Sequence, residues 1–167
     1  SHCVISLIEN GYKPIIIDNF SNSYKKVIKI LERITKKKII FHDVDLKNKK
    51  KLKSIFKKYD CYCVIHCAGF KAVAESIEKP IMYYENNIGA TLTLLECMSE
   101  QKIFKLIFSS TASIYDSNNF FPVREKGKIS NIKNPYAESK FSIEQILTNL
   151  AEFDDRWNIG IARYFNV

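Results

Sequence analysis

The sequence predicts an α/β domain, a doubly wound parallel sheet with helices on both faces. Three observations carry that expectation. Five short runs are β-branched and continuously apolar, as strands buried on both faces are. Longer segments of helical periodicity separate them in strict alternation, which implies βαβ units with right-handed crossovers. The chain has 167 residues, 46% hydrophobic and 26% charged, which suits one domain with a sizeable core and is too short for two comfortable ones.

The elements follow in order. "SHCVISL" opens an apolar helical pattern that Asn10-Gly11 closes, so a helix is expected over 1–10. The strand "KPIIID" (13–18), a helix over 24–34, the strand "KIIFHDV" (38–44) and a helix over 47–58 come next. "CYCVIHCA" (61–68) is the third strand, and Pro80 opens a helix over 80–101. After the strand "FKLIFSS" (104–110), residues 116–135 are irregular and longer than a plain connection, which marks a candidate functional loop. A helix over 137–152 and the strand "NIGIARYF" (158–165) complete the series. No internal repeat, low-complexity tract or Pro/Gly-rich linker divides it.

Composition excludes several functions. No run reaches the roughly 18 apolar residues of a membrane helix, and no basic, then apolar, then small-residue leader is present, so neither membrane insertion nor secretion is expected. Cys3, Cys61, Cys63, Cys67 and Cys97 are odd in number and form no CxxC pair. They read as buried reduced thiols rather than disulfides or metal ligands, and indicate a cytoplasmic protein without a metal. The net charge of +8 lies in lysine tracts such as "TKKKI" (35–39) and "LKNKKKLKSIFKK" (46–58). These lack interleaved aromatics and read as solvated faces, so no nucleic-acid partner is expected.

In such sheets ligands sit at the carboxyl ends of the strands. Asp18 ends the first strand, where an acidic side chain can accept hydrogen bonds from the ribose hydroxyls of a dinucleotide and exclude a 2′-phosphate, favouring NAD over NADP. Taken alone, Asp18 is more often a strand-end turn former. "SSTASIY" (109–115) followed by "NPYAESK" (134–140) is the stronger constellation. Tyr136 and Lys140 are four apart and share a helix face, where an ammonium group favours a phenolate base. Thr111, at the preceding strand end, can bond a substrate hydroxyl and relay its proton to Tyr136. As a bare pattern, Tyr-x-x-x-Lys also arises on surface helices for packing.

"IIIDNFSNS" (15–23), "VIHCAGFKAVAESIEKP" (64–80), "YYENNIGATLTLLE" (83–96), "LIFSSTASIY" (106–115), "NPYAESK" (134–140), "SIEQIL" (142–147) and "ARYFNV" (162–167) occur in that order. Together they closely resemble the UDP-glucose 4-epimerase family of extended short-chain dehydrogenases/reductases. The likeness runs from Ser1 to Val167. It implies an NAD(P)-binding Rossmann-type sheet, with NAD as cofactor, UDP-glucose and UDP-galactose as substrates, and a role in galactose metabolism. A homodimer formed through helices matching 80–101 and 137–152 is implied as well.

The same resemblance carries the NAD contacts onto Asp18, Asn19, Asn22, Ser23, Asp45 and Leu46 on the adenosine side, and onto Cys67, Ala68, Gly69 and Lys71 along the dinucleotide. Asn87, Tyr136, Lys140 and Phe165 complete the cofactor set, and Thr111, Ser113, Tyr136 and Asn166 fall on positions that meet the UDP-sugar. Leu46, Ala68 and Phe165 are expected in the core on any reading, and His66 and Cys67 as strand packing. The implied mechanism is transient oxidation at sugar C4, with Tyr136 as base, Lys140 stabilising its phenolate and Thr111 relaying the proton. Dehydratases of the superfamily carry an acidic pair after the strand-end threonine, whereas Ala112 and Ser113 stand here.

Three departures from the family pattern accompany the likeness. Thr111 stands where some members have serine, and Asp116 follows Tyr115 where the family usually has glycine. "SHCVISL" reads as the helix that follows the last glycine of the dinucleotide fingerprint, so the first strand and glycine-rich turn are expected to be missing, as is the substrate domain after Val167. A 167-residue fragment of that kind is expected to bind NAD poorly, to be inactive, and to be marginally stable. The alternatives are a related nucleotide-sugar epimerase or decarboxylase, and a truncated, non-catalytic remnant.

Overall fold

Strand and helix alternate as the apolar pattern requires. The computed structural model describes residues 1–116, 118 and 122–165. Helix α1 (His2–Glu9) leads through a turn at Gly11, whose φ of +84° suits glycine, into β1 (Ile15–Asp18). Then come α2 (Lys26–Thr35), β2 (Ile40–Asp43), α3 (Lys49–Lys58) and β3 (Val64–His66). The helical region after β3 holds α4 (Val73–Glu78), α5 (Pro80–Tyr84), a π-helical turn (Glu85–Gly89) and α6 (Ala90–Glu100). Strand β4 (Lys105–Thr111) ends in a 3₁₀ turn (Ala112–Ile114), and α7 (Pro135–Phe153) and β5 (Asn158–Tyr164) finish the chain.

Two features differ from the sequence expectation. The short helix α4 was not signalled, because six residues cannot display a helical period. The helix expected over 80–101 has a π-helical turn at its centre, which inserts an extra residue and turns Asn87 into the interior.

All pairings among the five strands are parallel, but they form two sheets rather than one. β1 pairs with β2, and β4 lies between β3 and β5. No strand among the described residues joins β1 to β3.

Around β1 the double winding is plain. Ile16 meets a cluster of Ile8, Ile28, Leu31 and Ile39 made by α1, α2 and the approach to β2, while Ile17 on the opposite face meets the main core. That core joins Leu52 and Phe56 of α3, Leu94, Leu95, Cys97 and Met98 of α6, Leu106 and Phe108 of β4, and Ile143 and Leu147 of α7, with Ile103 and Trp157. Alternation along β4 sends Leu106 and Phe108 into it and leaves Ile107 and the paired Ile65 exposed. The strands are therefore less covered than their continuous apolar runs suggest, β2 most of all. On the outside, Lys49 and Lys53 of the lysine-rich α3 pair with Glu96 and Glu100 of α6.

Candidate active site

The strand-end side chains and the first two turns of α7 converge. Asn134 caps α7 by accepting a hydrogen bond from the Ala137 N–H at 2.8 Å, and Pro135 occupies the first turn, so the helix starts one residue before Tyr136. Tyr136, Lys140 and Glu144 then recur every fourth residue and share the face turned to β4. The Lys140 ammonium donates to the Ser109 carbonyl at 2.9 Å and lies 4.8 Å from the Phe108 ring centre. Burial pushes this lysine down to about 8.

Thr111 closes β4, is only 7% exposed, and bonds Ser113 twice: its hydroxyl accepts from the Ser113 N–H at 3.2 Å and donates to the Ser113 hydroxyl at 3.1 Å. The 3₁₀ turn bearing Ser113 packs against α7, so the Thr111 and Tyr136 segments are neighbours. Tyr136 is half-buried beside Tyr83. Burial pushes Tyr83 up to about 12, and its hydroxyl is committed to the Ala72 carbonyl and Glu75.

Gly69 approaches the same place from β3. Its φ is +147°, and a Cβ there would stand 3.0 Å from Asn87 Oδ1 and 3.7 Å from Lys140 Nζ. Only glycine lets the chain pass so close. Asn87 is fully engaged within the fold: Oδ1 accepts from the Phe70 N–H at 2.8 Å, and Nδ2 donates to the Phe70 carbonyl and to Ser139 Oγ. It therefore holds the 69–70 turn against α7, next to Lys140.

The remaining expected residues divide between the two sheets. At the end of β1, Asp18 Oδ1 accepts from the Phe20 N–H at 2.6 Å and from Ser23 Oγ at 3.3 Å. Asn19 reaches Asp45 at 3.0 Å, bringing the ends of β1 and β2 together, and Asn22 lies exposed on the same turn. Leu46 packs on the main core, as expected of an apolar residue. Ala68, Cys67 and Phe165 do not: all three are exposed, because they lie beyond the strand ends where no helix covers them. Phe165 stacks on Tyr115 instead, and Lys71 is exposed beside Ala68 and Gly69. Asn166 lies outside the described residues.

His66 is packed, as expected, and burial pushes it down to about 3, so it is neutral. Its Nε2 meets Thr91 Oγ1 at 2.8 Å. Since the Thr91 hydroxyl donates to the Asn87 carbonyl at 2.6 Å, the proton between them is carried by His66 Nε2.

Sequence reasoning missed one cluster. Glu144, 4% exposed, accepts from Ser110 Oγ of β4 and forms a forked ion pair with Arg163 of β5, one contact being 2.6 Å. Arg163 also donates to Tyr115 Oη at 2.9 Å and to the Glu125 carbonyl at 3.0 Å. The pair clamps α7 to β4 and β5 one turn beyond Lys140. Spacing alone held the signal for Glu144, but its partner depends on the register that sets Ser110 beside Arg163.

A protein-family profile described as GDP-mannose 4,6 dehydratase matches residues 1–167. The chain belongs to this family. Within it, the chain is 48% identical over 166 residues to UDP-glucose 4-epimerase of Dictyostelium discoideum and 38% identical over 172 residues to that of Homo sapiens. Those alignments take in 99% of this chain but 48% and 49% of the relatives, so it spans about half the length of the curated relatives it matches. Among solved structures it is similar to UDP-glucose 4-epimerase from Bifidobacterium longum in complex with NAD+ and UDP, with a TM-score of 0.96 and 38% identity over 99% of this chain and 49% of that one. A second, from Stenotrophomonas maltophila with bound NAD and formylated UDP-arabinopyranose, has a TM-score of 0.95 at 30% identity over 99% and 49%. Against the family's dehydratase description, the two positions after Thr111 are Ala112 and Ser113, neither of them a carboxylic acid.

Proposed function

We propose that residues 1–167 belong to the NAD-binding domain of a UDP-glucose 4-epimerase, which interconverts UDP-glucose and UDP-galactose. The observation that carries this reading is the Lys140 ammonium bound to the Ser109 carbonyl two residues before Thr111, with Tyr136 one turn away on the same helix and that helix packed on the turn after Thr111. The epimerase names of the relatives support it.

The residues present fit a dinucleotide. Both described bonds to Asp18 fall on Oδ1, so Oδ2 is the atom we assign to ribose hydroxyls, with Asn19, Asn22, Ser23, Asp45 and Leu46 assigned to the adenosine half. Cys67, Ala68, Gly69 and Lys71 line its path, Asn87 fixes the glycine turn, and Phe165 borders the nicotinamide end. NAD bound there supplies a reversible hydride acceptor, so that oxidation and re-reduction on opposite faces invert sugar C4.

The chain's own groups handle the proton. Tyr136 takes it from the 4-hydroxyl and returns it, with Thr111 relaying and Ser113 orienting the Thr111 hydroxyl. The Lys140 ammonium balances the phenolate while the Ser109 carbonyl fixes its position. Thr111, Ser113, Tyr136 and Asn166 are the residues assigned to the UDP-sugar. No helix among the described residues is long and apolar enough to cross a membrane, all five cysteines are free, and we place the protein in the cytoplasm. Exposed Ile77 of α4 and Ile81 of α5 support a homodimer through that face.

The test is a product assay on the full gene product with NAD, offering UDP-galactose, UDP-N-acetylgalactosamine, UDP-glucuronate and GDP-mannose separately. UDP-glucose from UDP-galactose is expected. A 4-keto-6-deoxy product from GDP-mannose would instead establish dehydration.

A further inference from the structure

We infer that Asp116 is a positioning residue, whose carboxylate ties the turn carrying Thr111 and Ser113 to the segment that leads into Tyr136. The inference deepens the epimerase reading and rests on it for the roles of Thr111 and Tyr136. Where the resemblance leads one to expect glycine, the structure has a charged side chain that is only 5% exposed. Its backbone N–H donates to the Lys128 carbonyl at 3.0 Å, and the neighbouring Tyr115 forms an antiparallel bridge with Ile129. Its carboxylate accepts from Ser130 Oγ, from Asn131 Nδ2 at 3.2 Å and from the Asn118 N–H at 2.9 Å. The bond from Ser130 holds the carboxyl below its ordinary range, so it stays an acceptor at working pH.

The placement of these partners gives them their effect. Asp116 stands two residues past the 3₁₀ turn, and Ser130 and Asn131 stand a few residues before Asn134, whose side chain starts α7. Asn131 adopts a left-handed φ of 52°, which Asn tolerates better than most residues and which aims its amide at Asp116. One carboxylate therefore spans the two segments whose separation sets the distance from Thr111 to Tyr136. Glycine offers no acceptor there. The rest of the loop is held independently, by Tyr115 and Arg163 on the Glu125 carbonyl and by the backbone contacts at Lys128 and Ile129, so losing the carboxylate frees Ser130 and Asn131 and leaves the rest anchored.

The experiment uses the full gene product with Asp116→Ala and Asp116→Asn. Because a misplaced proton relay raises the barrier of the chemical step rather than weakening substrate binding, Asp116→Ala is expected to lower kcat about tenfold with KM for UDP-galactose within about twofold. The melting temperature should move by no more than about 2 °C. Asp116→Asn keeps an acceptor for one donor and should recover about half of that loss on a logarithmic scale. Hydrogen exchange should quicken at Asn118 and in residues 130–134 of the alanine variant and stay unchanged in 122–129. A kcat within about twofold of wild type in the alanine variant, or equal losses in both variants together with a lowered melting temperature, overturns the proposal. If the wild-type protein epimerises nothing, the functional reading fails by itself, and exchange then decides the tie: faster exchange confined to Asn118 and 130–134 upholds it, unchanged exchange overturns it.

Discussion

Beside the twelve-residue core behind β3, β4 and β5, the four-residue cluster of Ile8, Ile28, Leu31 and Ile39 behind β1 and β2 is slight. The difference follows the division of work between the two sheets. The β1–β2 end offers Asp18, which bonds along its own turn, and Asn19, which reaches Asp45; in the proposed reading they need only meet a ligand's hydroxyl groups. The β4 end carries Lys140, a charged group kept out of water, whose ammonium holds its place because Phe108, Ser109 and the packed face of α7 surround it. Burial of that cation costs stability, and the larger core offsets the cost where the chemistry is proposed.

The sharpest way to break this comparison is Lys140→Met. Proton transfer should fall by about a thousandfold, within the range that a positioned acid–base group supplies. Stability should move the other way. The folded-state value of about 8 lies below the ordinary 10.5, so the folded protein disfavours the charged form below pH 8 and regains stability as pH rises from 8 to 10.5. After allowance for the lost Ser109 bond, Lys140→Met should be more stable than wild type by about 2 kcal/mol at pH 7, with the gap closing between pH 8 and 10.5. Urea unfolding at several pH values reads this directly, and a less stable methionine variant would mean that the charge is not held at a cost.

Core truncation gives the next effect. Phe108→Ala should cost about 4 kcal/mol and Ile28→Ala about 2–3 kcal/mol, since the fully buried ring leaves the larger cavity. In hydrogen exchange, Ile28→Ala should open α1, α2 and β1 without opening α7. Opening of both sheets together would make them one cooperative unit.

The smallest effect concerns acid. His66 is held neutral down to about 3, so the stability it contributes is complete above pH 6.5 and is lost as pH falls from 6.5 towards 3. His66→Gln keeps a donor for Thr91 and does not titrate, so its stability should slope less steeply in that window. Identical slopes would remove His66 from the account.

Much of this was legible in the sequence because the residues concerned act through local rules. Continuous apolar runs gave the strands, Asn10-Gly11 and Pro80 marked helix boundaries, and the spacing of Tyr136 and Lys140 put them on one helix face. Thr111 stood at a strand end because β4 is long and apolar up to its last serines. What escaped depends on contacts between distant segments. The separation of β1 from β3 is a matter of pairing, which periodicity does not report. Glu144 found Arg163 through strand register, and Asp116 found Ser130 and Asn131 across a loop. Ala68 and Phe165 looked like core residues by composition, yet they lie past the strand ends, where no helix covers them.

The central claim is that Tyr136 is the proton-transferring group of an epimerase. It is tested most directly by comparing the full gene product with its Tyr136→Phe variant, following conversion of UDP-galactose to UDP-glucose and titrating NAD in parallel. The account predicts that phenylalanine lowers turnover by about a hundredfold or more while NAD affinity stays within about threefold. Turnover within about tenfold of wild type, with NAD bound equally well, would contradict it.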